Sequence, residues 1–328
     1  MSSIRDVAML AGVSPATVSR VMNGTAKVDP EKAQRVLSAI RETGFVPNQA
    51  ARSLVKKNAR LLGLIIPNLH NPFFTQLAAD IEAAAEARDF HVFTCTVGHD
   101  TTKVREAMQV LMSMNVSGVI LTVSNPEILQ LVSDYTIPVA AVDCMENVEH
   151  ASFSVHCDYY SGGRMAMEHL LSCGCKKVIC IQGDQSLFSA RMRYEGYRDV
   201  CREKGIPEYT LFCDYDFHAG LQMTKALLNL YPDADGILAC NDLTALSIFK
   251  ILTKKQIRVP QQIQLMGFDD IHLAELMTPE LSTIHQPTRE MAEYAVDCLA
   301  AERSPAETGD MAKVLPVSLK IRETTTPL

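Results

Sequence analysis

From residue 61 onward, short apolar runs alternate with segments whose apolar residues recur at helical spacing. The runs predict buried strands at 61–66, 92–96, 119–122, 139–142, 178–181, 237–239 and 264–268. The segments between them predict helices at 75–88, 103–114, 162–172, 191–204, 221–230 and 243–254. Continuous apolar strands that alternate with helices are typical of a parallel sheet covered on both faces. So many units exceed one small sheet, and we expect two doubly wound subdomains, with a crossover near 158–162 and a segment after about 285 that returns across the hinge.

A different pattern comes first, in residues 6–23. Val7, Ala8 and Ala11 lie at helical spacing, and Gly12 then ends that short helix. Ser14 followed by Pro15 predicts the start of a second helix, in which Val18, Val21 and Met22 face inward. Two short helices joined by a tight turn predict a helix-turn-helix, whose second helix lies in the DNA major groove. An ordinary helical hairpin with a solvated polar face is the competing interpretation.

A third helix and a linker follow. Asp29-Pro30 repeats the start signal, and the helix is expected to run to about Thr43 and to stop at Gly44, with a buried stripe of Ala33, Val36, Leu37 and Ile40. Residues 49–57 can be helical but are too short to be stable alone in water. We therefore expect a hinge that becomes ordered only when something holds it.

The charge distribution supports a separate nucleic-acid module. The whole chain has a net charge of −7, but residues 1–60 carry ten Lys and Arg against four Asp and Glu, a net of +6. A basic head on an acidic body suits a phosphate-binding module joined to a domain with another task.

Composition narrows the class of protein further. The ten cysteines are scattered, and the close pair Cys173 and Cys175 has no His pair at ligand spacing, so neither a metal nor a cofactor is expected. No apolar run approaches about 18 residues, and no leader pattern opens the chain. The protein is expected to be cytoplasmic.

Polar and aromatic side chains follow the predicted strands. In open α/β sheets, ligands bind beyond the carboxyl ends of the strands, where carboxylates, amides and Arg can grip hydroxyls while Phe rings cover the apolar face of a sugar. A sugar or similar polyol is therefore the natural ligand. The competing interpretation of a single Asp or Asn is a helix N-cap, which we prefer for Asp242 and Asp270, and that of Phe73 or Phe74 is core packing. Catalysis is disfavoured because the glycine-rich nucleotide motifs and the Gly-x-Ser-x-Gly motif are missing.

Taken together, these segments resemble the lactose/galactose-repressor (LacI/GalR) family of bacterial transcription regulators. The resemblance rests on Asp6-Val7-Ala8, Ala11-Gly12-Val13-Ser14, residues 17–23, Pro47-Asn48, residues 51–54, Asn71-Pro72-Phe73-Phe74, Asn241-Asp242, residues 267–270 and residues 283–287. The body is also similar to periplasmic sugar-binding proteins of the ribose type. The resemblance implies a helix-turn-helix domain at 1–46, a hinge helix at 47–59 and an effector-binding and dimerisation domain at 60–328. The two subdomains of that last domain are expected at about 60–160 plus 286–318, and at 161–285 plus 319–328.

The resemblance also assigns residues to the two sites. It implies DNA contacts from Ser14, Pro15, Ala16, Thr17, Ser19, Arg20, Asn23, Asn48, Ala51, Arg52, Leu54 and Lys56, with Leu54 as a wedge in the minor groove. It implies effector contacts from Asn71, Phe73, Phe74, Asp143, Arg193, Tyr215, Asn241, Asp269 and Gln286. Phe217 could replace Tyr215, and Cys144 stands where the ribose-type pattern has Arg.

The leading hypothesis is a homodimeric repressor of carbohydrate-use genes that binds operator DNA and is released by a small sugar. Within that class, a purine or a phosphoprotein corepressor could replace the sugar. A sugar-binding transport protein would explain the body but not the basic head, and a sugar-acting enzyme lacks its motifs.

Overall fold

Three short helices form the first of two units into which the chain divides, residues 1–59 and 60–328. The computed structural model describes residues 3–23, 28–45, 60–98, 100–123, 126–143, 151–300 and 312–327. The helices of the first unit are α1 (Ile4–Ala11), α2 (Pro15–Asn23) and α3 (Pro30–Thr43). The predicted hinge, residues 47–59, lies outside the described residues.

Local capping explains where these helices begin and end. The Ser14 hydroxyl accepts a hydrogen bond from the Thr17 amide at 3.2 Å, and the Asp29 carboxylate accepts one from the Glu31 amide at 3.0 Å. Gly12, with a φ of 63°, ends α1 in the left-handed conformation that glycine adopts without strain. The predicted helix-turn-helix geometry is thereby confirmed at the level of the backbone.

The core of the first unit consists of six buried side chains: Val7, Ala8, Ala11, Val18, Val36 and Ala39. The prediction that Leu37 is buried is wrong, because its side chain is 51% exposed. Successive helical residues are turned by about 100°, so a stripe centred on Val36 and Ala39 leaves Leu37 at its edge.

The second unit contains twelve strands and nine helices within the described residues. The strands are β1 (Leu61–Ile66), β2 (His91–Thr96), β3 (Gly118–Leu121), β4 (Val139–Val142), β5 (Phe153–Cys157), β6 (Val178–Gln182), β7 (Tyr209–Phe212), β8 (Gly236–Leu238), β9 (Gln264–Asp269), β10 (Ser282–His285), β11 (Ala312–Leu315) and β12 (Ser318–Lys320). The helices are α4 (Pro72–Glu86), α5 (Thr101–Ser113), α6 (Pro126–Ser133), α7 (Tyr159–Ser172), α8 (Phe188–Lys204), α9 (Phe217–Leu230), α10 (Asp242–Lys254), α11 (Leu273–Leu276) and α12 (Thr288–Ala300).

The strands form two six-stranded sheets of matching topology. Their orders are β11-β5-β4-β3-β1-β2 and β12-β10-β9-β8-β6-β7. All pairings are parallel except that of β12 with β10. In each sheet the direction in which successive strands are added reverses once, between β1 and β3 in the first sheet and between β6 and β8 in the second. Ligands bind at such switch points in open α/β sheets.

The chain passes between the two sheets three times, after β5, after β10 and after β11. The first passage leads into α7, which packs on α8, and the second leads into α12, which packs on α4. These passages confirm the predicted crossover and the predicted return of the chain after residue 285. Strand β5 was not predicted because Ser154 and His156 interrupt its apolar pattern, although both side chains are buried.

Within the described residues, no helix is both long and apolar enough to cross a membrane. In the same part of the chain, no three His, Cys, Asp or Glu side chains are grouped so that they could hold a metal ion.

Candidate functional site

A cleft of about 510 Å³, counted with the part open to solvent, lies at the carboxyl ends of the strands of the second unit. Eight of the nine predicted effector residues line it, and the ninth, Gln286, lies behind Asp269. Among the described residues, the lining consists of Asn68, Asn71, Phe73, Phe74, Asp143, Leu187, Ser189, Arg193, Tyr215, Asn241 and Asp269. Both sheets therefore contribute side chains to one cavity.

On the side of the first sheet, the lining is built by the start of α4. Asn71 is the N-cap of this helix, since its Oδ1 accepts a hydrogen bond from the Phe73 amide at 3.1 Å. Phe73 and Phe74 meet edge to face, with ring centroids 5.3 Å apart. Phe73 is almost fully buried and belongs to the core as well as to the cleft wall, while Phe74 is half-buried. An aromatic wall of this kind can cover the apolar face of a ring-shaped ligand.

Asp143 follows β4 with a φ of 60°. Its Oδ1 accepts a hydrogen bond from the hydroxyl of Tyr159. Burial raises the pKa of Asp143, and the nearby Arg193 guanidinium opposes that rise.

Arg193 is the cation of the cleft. Its Nη1 donates to the carbonyl oxygen of Cys240 at 2.9 Å, and its Nη2 lies 3.6 Å from Oδ1 of Asp269. The guanidinium carbon lies 3.8 Å from the centroid of the Phe268 ring, a distance typical of a cation–π contact. These contacts hold the guanidinium against the second sheet.

Two glycines allow α8 to carry Arg193 into this position. A Cβ atom at Gly163 of α7 would lie 2.1 Å from the carbonyl oxygen of Arg193, and one at Gly196 would lie 2.2 Å from that of Tyr160. Helices α7 and α8 therefore meet backbone to backbone, which any larger residue at these positions would prevent.

Asp269 ends β9 and is nearly fully buried. Its Oδ1 accepts a hydrogen bond from Nε2 of Gln286 at 2.8 Å. Burial raises the pKa of Asp269 to about 7, even though the Arg193 charge and the Gln286 hydrogen bond act in the opposite direction. The cleft thus contains a carboxyl group that titrates near neutral pH.

Asp242 supports the cleft from behind and is not the N-cap that the sequence suggested. Asn241 is the N-cap of α10, because its Oδ1 accepts from the Thr244 amide at 2.9 Å. The Asp242 carboxylate accepts instead from the Ile271 amide at 2.9 Å and from the Thr283 hydroxyl at 2.6 Å. It thereby joins the ends of β9 and β10.

Asp270 is likewise not an N-cap. Its carboxylate binds His285 Nδ1 at 2.9 Å and Arg322 Nη2 at 2.7 Å. Its pKa is lowered, because these two partners together outweigh the effect of burial. Asp270 thus links the end of β9 to the end of β10 and to the C-terminal segment.

Four buried polar atoms in and behind the cleft have no hydrogen-bond partner among the residues that the structure describes. They are Nε of Arg193, the hydroxyl of Tyr215, Nδ2 of Asn241 and Oε1 of Gln286. Unpaired buried polar groups are rare because each one costs about 1–3 kcal/mol. Arg193 Nε and Asn241 Nδ2 are donors, the Tyr215 hydroxyl can donate or accept, and Gln286 Oε1 is an acceptor. Together with the carboxyl groups of Asp143 and Asp269, such groups suit a compound rich in hydroxyls.

The structure separates the two aromatic candidates of the loop before α9. Tyr215 lines the cleft, whereas the ring of Phe217 contacts His218 and the ammonium group of Lys250. Asn68, Leu187 and Ser189 also line the cleft but were not predicted. Asn68 lies in the loop after β1, and Leu187 and Ser189 stand at the start of α8, which follows β6. Their position after strand ends was the available signal.

In the first unit, α2 presents most of its predicted DNA-facing residues to solvent. Ser14, Pro15, Ala16 and Arg20 are exposed, while Thr17 and Ser19 are half-buried. The Ser14 and Thr17 hydroxyls lie 2.9 Å apart. The side chain of Asn23 lies outside the described residues, as do the hinge residues Asn48, Ala51, Arg52, Leu54 and Lys56.

Comparisons with known proteins find relatives for both parts of the chain. Residues 3–48 match the family described as bacterial regulatory proteins, lacI family, and residues 167–325 match the periplasmic binding protein-like domain. The chain is 36% identical to the ribose operon repressor of Halalkalibacterium halodurans, over 99% of this chain and 97% of that one. It is 32% identical to the transcriptional repressor PurR of Haemophilus influenzae, over 91% of this chain and 90% of that one.

The fold agrees with a solved structure as well. The lac repressor dimer bound to operator and the anti-inducer ONPF matches 99% of both chains, with 28% identity and a TM-score of 0.86. Both the basic helix-turn-helix unit and the two-sheet body are thus accounted for by the same relatives. The chain belongs to the lacI family of bacterial regulatory proteins and is a DNA-binding transcriptional repressor, not an enzyme.

Proposed function

We propose that this repressor acts in the cytoplasm as a homodimer, represses carbohydrate-use genes, and leaves its operator when a small neutral sugar binds the cleft. The proposed sugar contacts are Asn71, Phe73, Phe74, Asp143, Arg193, Tyr215, Asn241, Asp269 and Gln286. The lac repressor dimer on operator DNA supports the dimeric form, and the relative named ribose operon repressor makes D-ribose the first compound to test.

The observation that carries the proposal is the set of four unpaired polar atoms around the cleft. A bound sugar would satisfy the three that belong to lining residues, those of Arg193, Tyr215 and Asn241, since each sugar hydroxyl can both donate and accept. The carboxylates of Asp143 and Asp269 would accept hydrogen bonds from other hydroxyls, and hydrogen bonds to charged groups are the stronger kind.

The charges of the cleft favour a neutral ligand. Two buried carboxyl groups face one guanidinium, so a phosphate group would meet a single cation, and Asp269 already lies 3.6 Å from that cation. Burial also favours the neutral form of both carboxyl groups, and it would disfavour a charged ligand for the same reason. A sugar phosphate is therefore disfavoured.

For the DNA-binding unit, we propose that the exposed face of α2 reads the major groove. Arg20 can bind guanine O6 and N7 with two hydrogen bonds, while Pro15 and Ala16 offer apolar contacts to thymine methyl groups. The hinge residues remain predictions from the resemblance.

The proposed switch follows from the origin of the cleft residues. Asn71 and Asp143 follow strands of the first sheet, while Arg193, Asn241 and Asp269 lie on or after strands of the second. A ligand that binds both sets favours the closed arrangement, and it can shift the equilibrium only by its difference in affinity for the two states. The first subdomain continues directly into the hinge, so closure would separate the hinge segments of the two subunits and weaken DNA binding.

The experiment is a calorimetric and thermal-shift screen of pentoses, hexoses, disaccharides, ribose 5-phosphate and purine bases, with wild-type protein and Tyr215→Phe. Because the Tyr215 hydroxyl has no partner among the described residues, its removal should leave the melting temperature of the free protein unchanged or higher. The same change should weaken sugar binding about two- to tenfold, since one hydrogen bond contributes roughly 0.5–1.5 kcal/mol.

Tyr231→Phe is the matched control, because Tyr231 lies away from the cleft and contacts Lys177 and Tyr209. It should bind sugar as the wild type does. If a purine base bound and no sugar did, the effector would be a purine and the proposed sugar would be wrong. If Tyr215→Phe bound sugar as tightly as the wild type, the Tyr215 hydroxyl would not contact the sugar.

A further inference from the structure

Tyr159 lies directly behind the cleft, at the first position of α7, where the chain leaves the first sheet. Its side chain is 1% exposed and does not line the cavity. Its hydroxyl nevertheless donates to Oδ1 of Asp143, which does line the cavity. Tyr159 can therefore act on a bound ligand only indirectly, and its hydrogen bond points to Asp143 as the route.

The ring of Tyr159 is held by residues of both subdomains. His156 of β5 stacks on it with centroids 6.0 Å apart, and Phe188, the first residue of α8, meets it edge to face at 6.1 Å. His156 and Phe188 also contact each other, with centroids 5.4 Å apart. The guanidinium carbon of Arg193 lies 5.3 Å from the Tyr159 centroid.

These contacts connect two parts of the cleft wall. Leu187 and Ser189, the neighbours of Phe188, line the cleft on the side of the second sheet. Asp143 lines it on the side of the first sheet. The contact between Phe188 and Tyr159 therefore sets how far Leu187 and Ser189 lie from Asp143 across the cleft.

The hydrogen bond from Tyr159 also affects the ionisation of Asp143: burial raises the pKa of Asp143, and this hydrogen bond opposes that rise, as the Arg193 charge does. Burial and the neighbouring Asp143 charge keep the pKa of Tyr159 well above its usual value, so its hydroxyl remains a donor. With Oδ1 bound to that hydroxyl, Asp143 has its second oxygen left for a ligand. The other groups that act on the Asp143 carboxylate are Arg193 of α8 and His156 and Cys157 of β5, together with Asp269 of β9.

We propose that Tyr159 is a positioning residue of the effector site. Its hydroxyl orients the Asp143 carboxylate toward the ligand, and its ring makes that orientation depend on contact between the His156 strand and the Phe188 end of α8. Asp143 and Arg193 are then placed for the ligand together, when the two subdomains close. This inference rests on the proposed sugar-binding function.

The first test compares D-ribose binding by calorimetry in full-length wild type, Tyr159→Phe and Tyr197→Phe. Tyr197 is the matched control: it is also fully buried, and its hydroxyl donates to the carbonyl oxygens of Val178 and Tyr209 at 3.2 Å, away from the cleft. Both variants lose a buried hydroxyl, so both should lower the melting temperature to a similar extent. Tyr159→Phe alone should weaken D-ribose binding, by about tenfold or more, because the lost hydrogen bond is to a charged group.

A double-mutant cycle separates positioning from packing. In an Asp143→Ala background, which removes the acceptor of the Tyr159 hydroxyl, Tyr159→Phe should cause no further loss of D-ribose affinity, since its effect passes through the Asp143 side chain. Additive losses, or wild-type affinity in Tyr159→Phe, would overturn the inference.

A ligand-free measurement keeps this inference separate from the proposed function. Carboxyl carbon-13 NMR of the free protein should show a higher pKa for Asp143 in Tyr159→Phe than in wild type, because a donor to the ionised form is lost. An unchanged pKa would refute the positioning role. If wild type bound no sugar of the screen, the proposed function would fail, and this titration would still decide whether Tyr159 controls Asp143.

Discussion

Asp269 makes effector binding depend on pH in a direction that can be measured. Burial raises the pKa of this carboxyl group to about 7, above the usual value for Asp, so a large fraction is protonated near neutral pH. A sugar hydroxyl donates a stronger hydrogen bond to the ionised carboxylate than to the protonated acid. D-ribose affinity should therefore increase as the pH rises through 7.

The expected size follows from the titration itself. For a group with a pKa of about 7, the ionised fraction rises from roughly one tenth at pH 6 to roughly nine tenths at pH 8. If the ligand binds the ionised form, its dissociation constant should fall about tenfold over that interval. Asp269→Asn lacks the titrating group, so it should bind more weakly and show no such increase.

Isothermal titration calorimetry at pH 6, 7 and 8 measures this dependence, and repeating it in buffers of different ionisation enthalpy counts the protons released. Asp214→Asn is the control, since it removes an exposed carboxylate next to Tyr215. It should retain the pH dependence of the wild type. Equal affinity of the wild type at pH 6 and pH 8, or the same increase in Asp269→Asn, would refute the argument.

Three further predictions concern the other parts of the chain. A fragment of residues 60–328 should still bind D-ribose but not operator DNA, and operator binding by this fragment would contradict the assignment of DNA binding to the first unit. For the full chain, the logarithm of the operator association constant should fall with the logarithm of the salt concentration, with a slope of about −0.9 for each phosphate contact. Arg20→Ala should flatten base preference at one symmetric pair of operator positions in a selection from random DNA, whereas Lys56→Ala should weaken all sequences about equally, and an unchanged consensus for Arg20→Ala would exclude Arg20 as a base reader. Gly163→Ala should lower the unfolding free energy by roughly 1–3 kcal/mol, and the melting temperature with it, because its Cβ would lie 2.1 Å from the Arg193 carbonyl oxygen. Wild-type stability of this variant would show that α7 and α8 can separate at no cost.

The sequence predicted those features whose cause lies within a few residues. Ser14-Pro15 and Asp29-Pro30 each place a capping side chain beside a proline, and each begins a helix in the structure. Asn71-Pro72 begins a helix in the same way, although that helix was predicted only from residue 75. Strand β1 and strand β4 were predicted with their observed ends because they are continuously apolar and buried.

Features that depend on distant partners were not predictable in this way. Asp242 and Asp270 each stand near a helix start, where an N-cap is the ordinary interpretation. Their actual partners are 15 to 52 residues away in the chain: Ile271 and Thr283 for Asp242, and His285 and Arg322 for Asp270. The role of these carboxylates is therefore set by the packing of β9 against β10 and by the C-terminal segment, which local patterns do not encode.

The same distinction applies to the cleft. Most of its lining was predicted because parallel strands end at a common edge, so residues that follow different strands must lie near one another. Tyr159 follows no such rule. It reaches Asp143 because the chain leaves the first sheet at the start of α7, where the Tyr159 ring packs against His156 and Phe188.

The central claim is that a sugar in the cleft controls operator affinity, and one titration tests it directly. Fluorescence anisotropy would measure binding of the full chain to an operator selected by the protein from random DNA, with and without saturating D-ribose. The wild type should bind the operator about 5–150-fold more weakly with the sugar, a coupling of roughly 1–3 kcal/mol. Asp269→Asn should be insensitive to the sugar. At a D-ribose concentration too low to occupy this variant, it should bind the operator as tightly as the wild type does without sugar. Operator binding that D-ribose strengthens in the wild type, or leaves unchanged although calorimetry shows the sugar bound, would contradict the account.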